Sequence, residues 1–206
     1  FNPRVPGEAW IVNYADDSVT ILHDLGTNSA TYENRHDPAA SHFMHRPPGI
    51  SFGTNDAWAV CGNGDNGGNY FMGPSLFSAD LDIFAVPTPG GLGSHIDMLH
   101  LTSFCRGITH ETGNIYWTFN AQYGSVERYD FAKDHGPGND DHSDGKVDRY
   151  LTGALKGIDG IPSHLAFDSV GKWLYVADTG NGRVVMLNTK SGTAGAKLPL
   201  QEPMMQ

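Results

Sequence analysis

Residues 161–188 read IPSHLAFDSVGKWLYVADTGNGRVVMLN, and their pattern predicts three short strands. His164 to Phe167 is a short apolar run, and Trp173 to Ala177 is rich in the aromatic and β-branched residues that strands favour. Arg183 to Leu187 supplies the third strand. Gly and Asn at residues 179–182 suit the positive φ of a tight connection. The segment is therefore expected to form a small meander with one apolar face.

Weaker copies of this unit lie upstream in the chain. They cover residues 9–22, 49–86 and 107–131, and each places an aromatic or β-branched strand before a Gly/Asn-rich or acidic turn. The second strands centre on Val12, Val60, Trp117 and Val176, at intervals of 48, 57 and 59 residues. A propeller blade typically repeats at roughly 40 to 50 residues, so the connections here are somewhat long.

These repeats predict an all-β fold, a β-propeller in one domain spanning residues 1–206. The units are expected at residues 1–40, 41–90, 91–155 and 156–206. One meander cannot bury its apolar face alone, whereas units stacked around an axis bury it between neighbours. A β-sandwich with coincidental turn spacing is the alternative. The tryptophans of the second strands, Trp10, Trp58, Trp117 and Trp173, are expected to pack between blades.

The composition agrees with short strands joined by many loops. Of 206 residues, 26 are Gly and 12 are Pro, and only 17% are charged. Average proteins are about 25% charged, because solvated helices are rich in Glu, Lys and Arg. The composition therefore does not favour a helical protein.

The net charge narrows the range of partners. At −10 the chain repels phosphate, so nucleic acid and anionic membranes are excluded as expected partners, and no apolar run is long enough to span a bilayer. A protein or a small-molecule ligand is the expected partner. The chain begins Phe1-Asn2-Pro3 with no Met, which predicts a processed chain or a fragment. With a secretory leader removed, its location would be extracellular or lumenal.

The segment from Leu174 to Val184, with Asp178 and Arg183 flanking the turn, resembles the NHL family of β-propeller repeats. That resemblance implies blades of the NHL type, usually six. The chain then either closes with about four blades or belongs to a longer array. Locally it is also similar to the amidating-lyase propellers that act on peptidyl-hydroxyglycine. In those enzymes a metal is held by His residues that precede the inner strands of separate blades, and His164 lies one residue from such a position.

Ten His residues make a metal site the main chemical hypothesis. His45, His100 and His164 precede successive predicted units, so they are expected to converge in the central channel. There they would hold Zn²⁺ or a similar divalent ion with a position open to water or substrate. The alternative is a set of loop His bonded to backbone carbonyls. If residues 95–100 are extended, His95 and Asp97 share one face, and Asp97 could orient a ligand His.

A second candidate metal site lies in the polar run at residues 134–145. Asp140, His142 and Asp144 partly match the spacing of a calcium loop, although an imidazole is a poor calcium ligand. A transition-metal loop using His135 and His142 with an Asp, or a plain solvated connection, remains open. Elsewhere, Arg46 and Arg106 are candidates for binding an anionic substrate group, or for pairing with surface carboxylates.

Cys61 and Cys105 predict either one disulfide or two buried thiols. Taken together, the sequence predicts a secreted or lumenal, metal-binding NHL-like propeller that acts as a ligand-binding or partner-binding module. The alternative function is a metal-dependent lyase or hydrolase, similar to the amidating lyase, with a His-coordinated cation in its channel.

Overall fold

A computed structural model describes residues 1–64, 72–193 and 195–196. These residues form four antiparallel sheets, each built from strands that are consecutive in the chain. The first sheet contains β1 (Ala9–Asn13), β2 (Ser18–His23) and β3 (Thr31–Arg35), and the second contains β4 (Ile50–Phe52), β5 (Ala57–Cys61), β6 (Pro74–Ser78) and β7 (His95–Met98). The third contains β8 (Cys105–Thr112), β9 (Ile115–Asn120), β10 (Ser125–Asp130) and β11 (Lys146–Tyr150), and the fourth contains β12 (Leu165–Asp168), β13 (Trp173–Asp178) and β14 (Arg183–Asn188). Two short helical turns, α1 (Ala40–Phe43) and a 3-10 turn at Thr179–Asn181, complete the elements.

The sheets follow one another around the propeller, and the second, third and fourth sheets contact each other through their first strands. Strand β4 of the second sheet contacts β8 of the third, and β8 in turn contacts β12 of the fourth. Backbone bonds follow the same order, since the amide of Ser163, just before β12, donates to the carbonyl of Arg106 in β8 at 2.8 Å. The all-β propeller is therefore confirmed, with four blades in the described residues, and the sandwich alternative is wrong.

The blade boundaries differ from the predicted units in one place. The second unit was expected to end at residue 90, but β7 pairs with β6 and completes the second blade. The reason is that residues 79–94 form a compact excursion, with Phe84 buried, that returns the chain to its own sheet. His95 consequently lies on an outer strand and not at the entrance of an inner one. The end of the fourth predicted unit, residues 197–206, lies outside the described residues.

The core lies between the blades. Trp10 of the first blade packs edge-on against Trp58 of the second, with ring centroids 5.4 Å apart, and Phe77 and Phe84 complete this cluster. Trp117 is buried in a second cluster, with Leu174 and other apolar residues of the fourth blade. The positions of Trp10, Trp58 and Trp117 agree with their predicted role in packing between blades. An aromatic pair such as Trp10 and Trp58 stabilises the fold by roughly 0.5–1.5 kcal/mol beyond the burial of its area.

Cys61 and Cys105 form a disulfide, which selects the first of the two predicted states. Their Cα atoms are 5.9 Å apart, and both residues are fully buried. The bond links the end of β5 to the start of β8. In the described part of the chain, no helix is long and apolar enough to cross a membrane.

Candidate metal centre

A loop of the third blade covers the outer edge of the second. Strand β7 is the last strand of its sheet, so its outer edge would present unpaired backbone groups. Residues 131–145, between β10 and β11, run along this edge. The amides of His135 and Gly138 donate to the carbonyls of Ile96 and His95, at 3.0 and 2.8 Å. These bonds place the side chains of the loop beside those of β7.

Three imidazoles meet at this junction. The rings of His95 and His135 have centroids 5.0 Å apart, and those of His135 and His142 lie 5.1 Å apart. One ring nitrogen from each of the three lies within 4.8 Å of the other two. In the described part of the chain, this is the one group of three or more His, Cys, Asp or Glu residues that is close enough to share a metal ion.

Each ring is oriented by an oxygen acceptor at Nδ1. His95 Nδ1 lies 2.8 Å from the Leu92 carbonyl, and His135 Nδ1 lies 2.7 Å from the carbonyl of Gly136. His142 Nδ1 lies 3.1 Å from Asp97 Oδ1. In His95 and His135 the carbonyl acceptor at Nδ1 fixes the proton there and leaves the lone pair on Nε2, the arrangement common to His ligands of metals.

Two of the remaining nitrogens are buried without a partner. In the described structure, Nε2 of His95 and Nε2 of His135 have no hydrogen-bond partner. A buried polar atom without a partner costs about 1–3 kcal/mol, so such atoms are rare unless they serve a ligand. The donor set therefore fits a metal ion that accepts neutral imidazole ligands.

Burial shifts the pKa of two groups at this site. Burial lowers the pKa of His95 to about 3, and the neighbouring His135, His142 and His42 lower it further, while the bond to Leu92 opposes the shift. Burial also raises the pKa of Asp97, although the hydrogen bond from His142 counteracts it. A neutral His95 offers its lone pair to a metal without first losing a proton.

Two further rings flank the three imidazoles. Phe43 of α1 stacks on His95 with ring centroids 3.6 Å apart and nearly parallel planes. His100 lies on the other side, with its ring 6.1 Å from that of His142. His95 and Asp97 are fully buried, whereas His135 is half-buried.

The predicted channel set does not come together. His45 pairs with Asp17 at 3.2 Å, and His164 is exposed and lies against Gly49. His100 is buried beside His142, at the edge of the second blade. The prediction failed because it assigned residues 95–100 to the entrance of an inner strand, whereas His95 and the residues that follow it belong to an outer strand.

The predicted calcium set also separates. Asp140 and Asp144 are exposed, and a carboxylate oxygen of Asp144 accepts a hydrogen bond from the amide of Lys133 at 3.2 Å. His142 is turned inward, away from them, toward Asp97. The structure instead brings His142 close to His135, the two His residues of the transition-metal alternative for this loop. His95 of the second blade lies beside them.

The two candidate arginines lie on another part of the molecule. Arg106 is buried and pairs with Asp159 at 2.9 Å, while Arg46 is exposed and its amide donates to Asp17 at 2.7 Å. Both arginines lower the pKa of one carboxyl group, that of Asp159. The hydrogen bond and charge of Arg106, followed by the charge of Arg46, hold the pKa of Asp159 below its usual value.

Comparisons with known proteins show the fold. No family model matches the sequence, and no curated protein sequence is similar to it. A structure of streptogramin B lyase superposes with a TM-score of 0.55 at 16% identity, covering 95% of this chain and 52% of that chain. Virginiamycin B lyase from Staphylococcus aureus superposes with a TM-score of 0.48 at 14% identity, covering 90% and 53%. This chain spans about half the length of the structures it matches, and the likeness to streptogramin B lyase supports the β-propeller fold. The NHL and amidating-lyase resemblances stay predictions.

Proposed function

We propose that this β-propeller is a metal-binding protein in which His95, His135 and His142 hold one divalent transition-metal ion between the second and third blades. The observation that carries the proposal is the pair of buried, unpartnered Nε2 atoms of His95 and His135. One ring nitrogen from each of His95, His135 and His142 lies within 4.8 Å of the other two, which is close enough to share one ion.

The donor set favours zinc or a similar ion over calcium. Imidazole suits Zn²⁺, Cu²⁺ and Ni²⁺, whereas Ca²⁺ takes six to eight oxygen ligands. The one buried carboxylate beside the three rings, Asp97, accepts hydrogen bonds from His142 and from the amide of Met98. Its role is to orient His142 and to raise the basicity of that ring.

The ion would act as a staple between blades. It would join β7 to the loop at residues 131–145, at the same junction that the Cys61–Cys105 disulfide crosses. Fully buried His95 and Asp97 suit a structural ion, and the propeller would then present its surface to a ligand or partner. The disulfide supports an extracellular or lumenal location, because such bonds persist in oxidising compartments.

Metal analysis on purified protein tests this proposal. We expect one transition-metal ion per chain, and Co²⁺ substitution should give the visible absorption of a low-coordinate site. If the ion is present at 100 times its Kd, chelation should lower the Tm by about 5–10 °C. His95→Asn should abolish binding, whereas the exposed His36→Asn should bind normally. A metal-free protein that takes up no Zn²⁺ or Co²⁺, or equal binding by both variants, would refute the site.

A further inference from the structure

A separate pocket lies where the inner parts of all four blades meet. Tyr14 lines it from the residue after β1, Asn63 from just beyond β5, Arg106 from β8, and Pro162 from just before β12. The pocket measures about 210 Å³, counting the part open to solvent. Contributions from four blades place it on the propeller axis, away from the His cluster.

The backbone conformation at Arg106 directs its side chain into this pocket. It is the extra residue of a β-bulge at the start of β8, where Cys105 and Gly107 both pair with β9 but Arg106 does not. Bulges often re-aim a side chain beside a functional site. The disulfide at Cys105 and the bond from the Ser163 amide to the Arg106 carbonyl hold the bulge in place.

The guanidinium of Arg106 is buried and only partly satisfied. The residue is 5% exposed, and its Nη2 donates to Asp159 at 2.9 Å. In the described part of the chain, Nε and Nη1 have no hydrogen-bond partner. A buried charge is stable only when it is paired and hydrogen-bonded. The Nε and Nη1 groups of Arg106 would therefore be stabilised by an acceptor.

The carboxylate that pairs with Arg106 is itself easily displaced. The side chain of Asp159 is 98% exposed, in the turn closed by the backbone bond from Ile161 to Ile158. Water competes for this exposed carboxylate, which weakens its pairing with the buried guanidinium. Asp159 uses one nitrogen of the guanidinium, whereas a ligand carboxylate in its place would accept from Nη2 and from either Nε or Nη1. Such two-point pairing is the stronger geometry for Arg.

We propose that the axial pocket binds the carboxylate of a small organic acid on Arg106, and that Asp159 occupies this place when the ligand is absent. Tyr14 offers a second contact, because its oxygen accepts from Asn63 Nδ2 at 2.9 Å and its own proton has no acceptor among the described residues. Pro48, Ile161 and Pro162 supply an apolar wall for the rest of the ligand. The acidic neighbour Asp159 disfavours phosphate, whose second charge it would repel. The inference goes beyond the proposed metal site and does not depend on it.

Titration with benzoate, followed by the ¹⁵N resonance of the Arg106 side chain, tests the proposal. We expect a saturable shift with benzoate and with acetate, and none with phosphate or chloride at equal ionic strength. Asp159→Asn should tighten binding about two- to fivefold, because it removes an exposed competitor. Arg106→Met should abolish saturable binding, read from the amide resonances around Tyr14, and the exposed Arg4→Met is the matched control.

Several outcomes would overturn the inference. Benzoate binding that survives Arg106→Met would place the ligand elsewhere, and equal saturation by chloride would leave only a general anion site. Unchanged or weaker binding by Asp159→Asn would show that Asp159 does not occupy the ligand position. If Arg106→Met does not fold, Arg106→Lys serves instead, since it keeps the charge but loses the two-point geometry. It should weaken binding, and unchanged affinity would count against the proposal.

Discussion

Cys61, the last residue of β5, is bonded to Cys105, the first residue of β8, so that a covalent link joins the second blade to the third. The same link anchors the bulge that carries Arg106. A disulfide in this position limits the freedom of the unfolded chain, and its 44-residue separation makes the closed loop long.

Replacing both cysteines with Ala should therefore destabilise the protein. We expect the free energy of unfolding to fall by about 2–4 kcal/mol, measured by urea denaturation. Addition of a reductant should lower the stability of the native protein by a similar amount and leave the variant unchanged. Equal stability of the two proteins under oxidising conditions would contradict this expectation.

Gly107 lies where the third blade comes closest to the fourth. A methyl group at this position would collide with the carbonyl oxygen of Ser163 and approach the Cα atom of His164, which are backbone atoms that cannot rotate away. Gly107→Ala should therefore separate the two blades and cost about 1–3 kcal/mol in thermal or chemical unfolding. Gly195→Ala is the matched control, because no atom of the described residues lies within 4 Å of a methyl group at that position. A fully stable Gly107→Ala protein would mean that the blades pack less closely than described.

The fold was predictable because each blade carries its own local signals. In residues 161–188, strand composition and the turn at residues 179–182 lie within one meander, and the observed β12, β13 and β14 follow them closely. The first blade is shorter, because it begins at the strand that carries its tryptophan. In the described residues no strand precedes β1, whose Trp10 corresponds to Trp58 of β5.

The candidate metal centre was harder to predict because its proposed ligands come from two blades. His135 and His142 were paired in one predicted loop, and Asp97 was expected to orient a ligand His, as its bond to His142 suggests. Sequence spacing alone does not indicate that residues 131–145 return to the edge of β7 and meet His95. The sequence feature that could have indicated this cluster is an edge strand with His95 and Asp97 on one face, together with a loop that contains His135 and His142.

Asp178 gives the fourth blade a defined dependence on pH. Burial alone would raise the pKa of this carboxyl, but hydrogen bonds from Asn181, the Lys156 amide and Arg183 lower it below its ordinary value of 3.8. A lowered pKa in the folded state gives stability that is present above the unfolded pKa and is lost as pH falls through the folded one. The contribution of Asp178 should thus be complete at pH 7 and decline from about pH 5 downward.

Asp178→Asn measures this contribution as a difference. The variant should be less stable than the native protein at pH 7, and the gap should narrow by pH 3, in urea denaturation at each pH. Asp82→Asn, at an exposed carboxylate, is the control and should track the native protein. A gap that stays constant with pH would mean that charge plays no part in the role of Asp178.

Asp97 should act on the proposed metal ion through His142 without touching it. The carboxylate orients the ring at 3.1 Å and stabilises the charge that metal binding places on the imidazole. Asp97→Asn keeps the shape and an oxygen acceptor but loses the charge, so metal affinity should fall about 10- to 100-fold. Competition with a chromogenic chelator, using Zn²⁺ or Co²⁺ on folded protein, measures this change directly.

Substitution of the exposed Asp144 by Asn distinguishes the proposed three-His site from a metal site formed by the carboxylates of the loop. Asp144 bonds only to the Lys133 amide among the described contacts, so its substitution should leave the Kd for Zn²⁺ unchanged. A weaker Kd for Asp144→Asn with a normal one for Asp97→Asn would move the ion to the outside of the loop. If Asp97→Asn lowers the Tm of the metal-free protein but binds Zn²⁺ normally, Asp97 serves packing alone. We expect Asp97→Asn to fold and to bind Zn²⁺ more weakly. That result would mean that the Asp97 carboxylate orients His142 for metal binding.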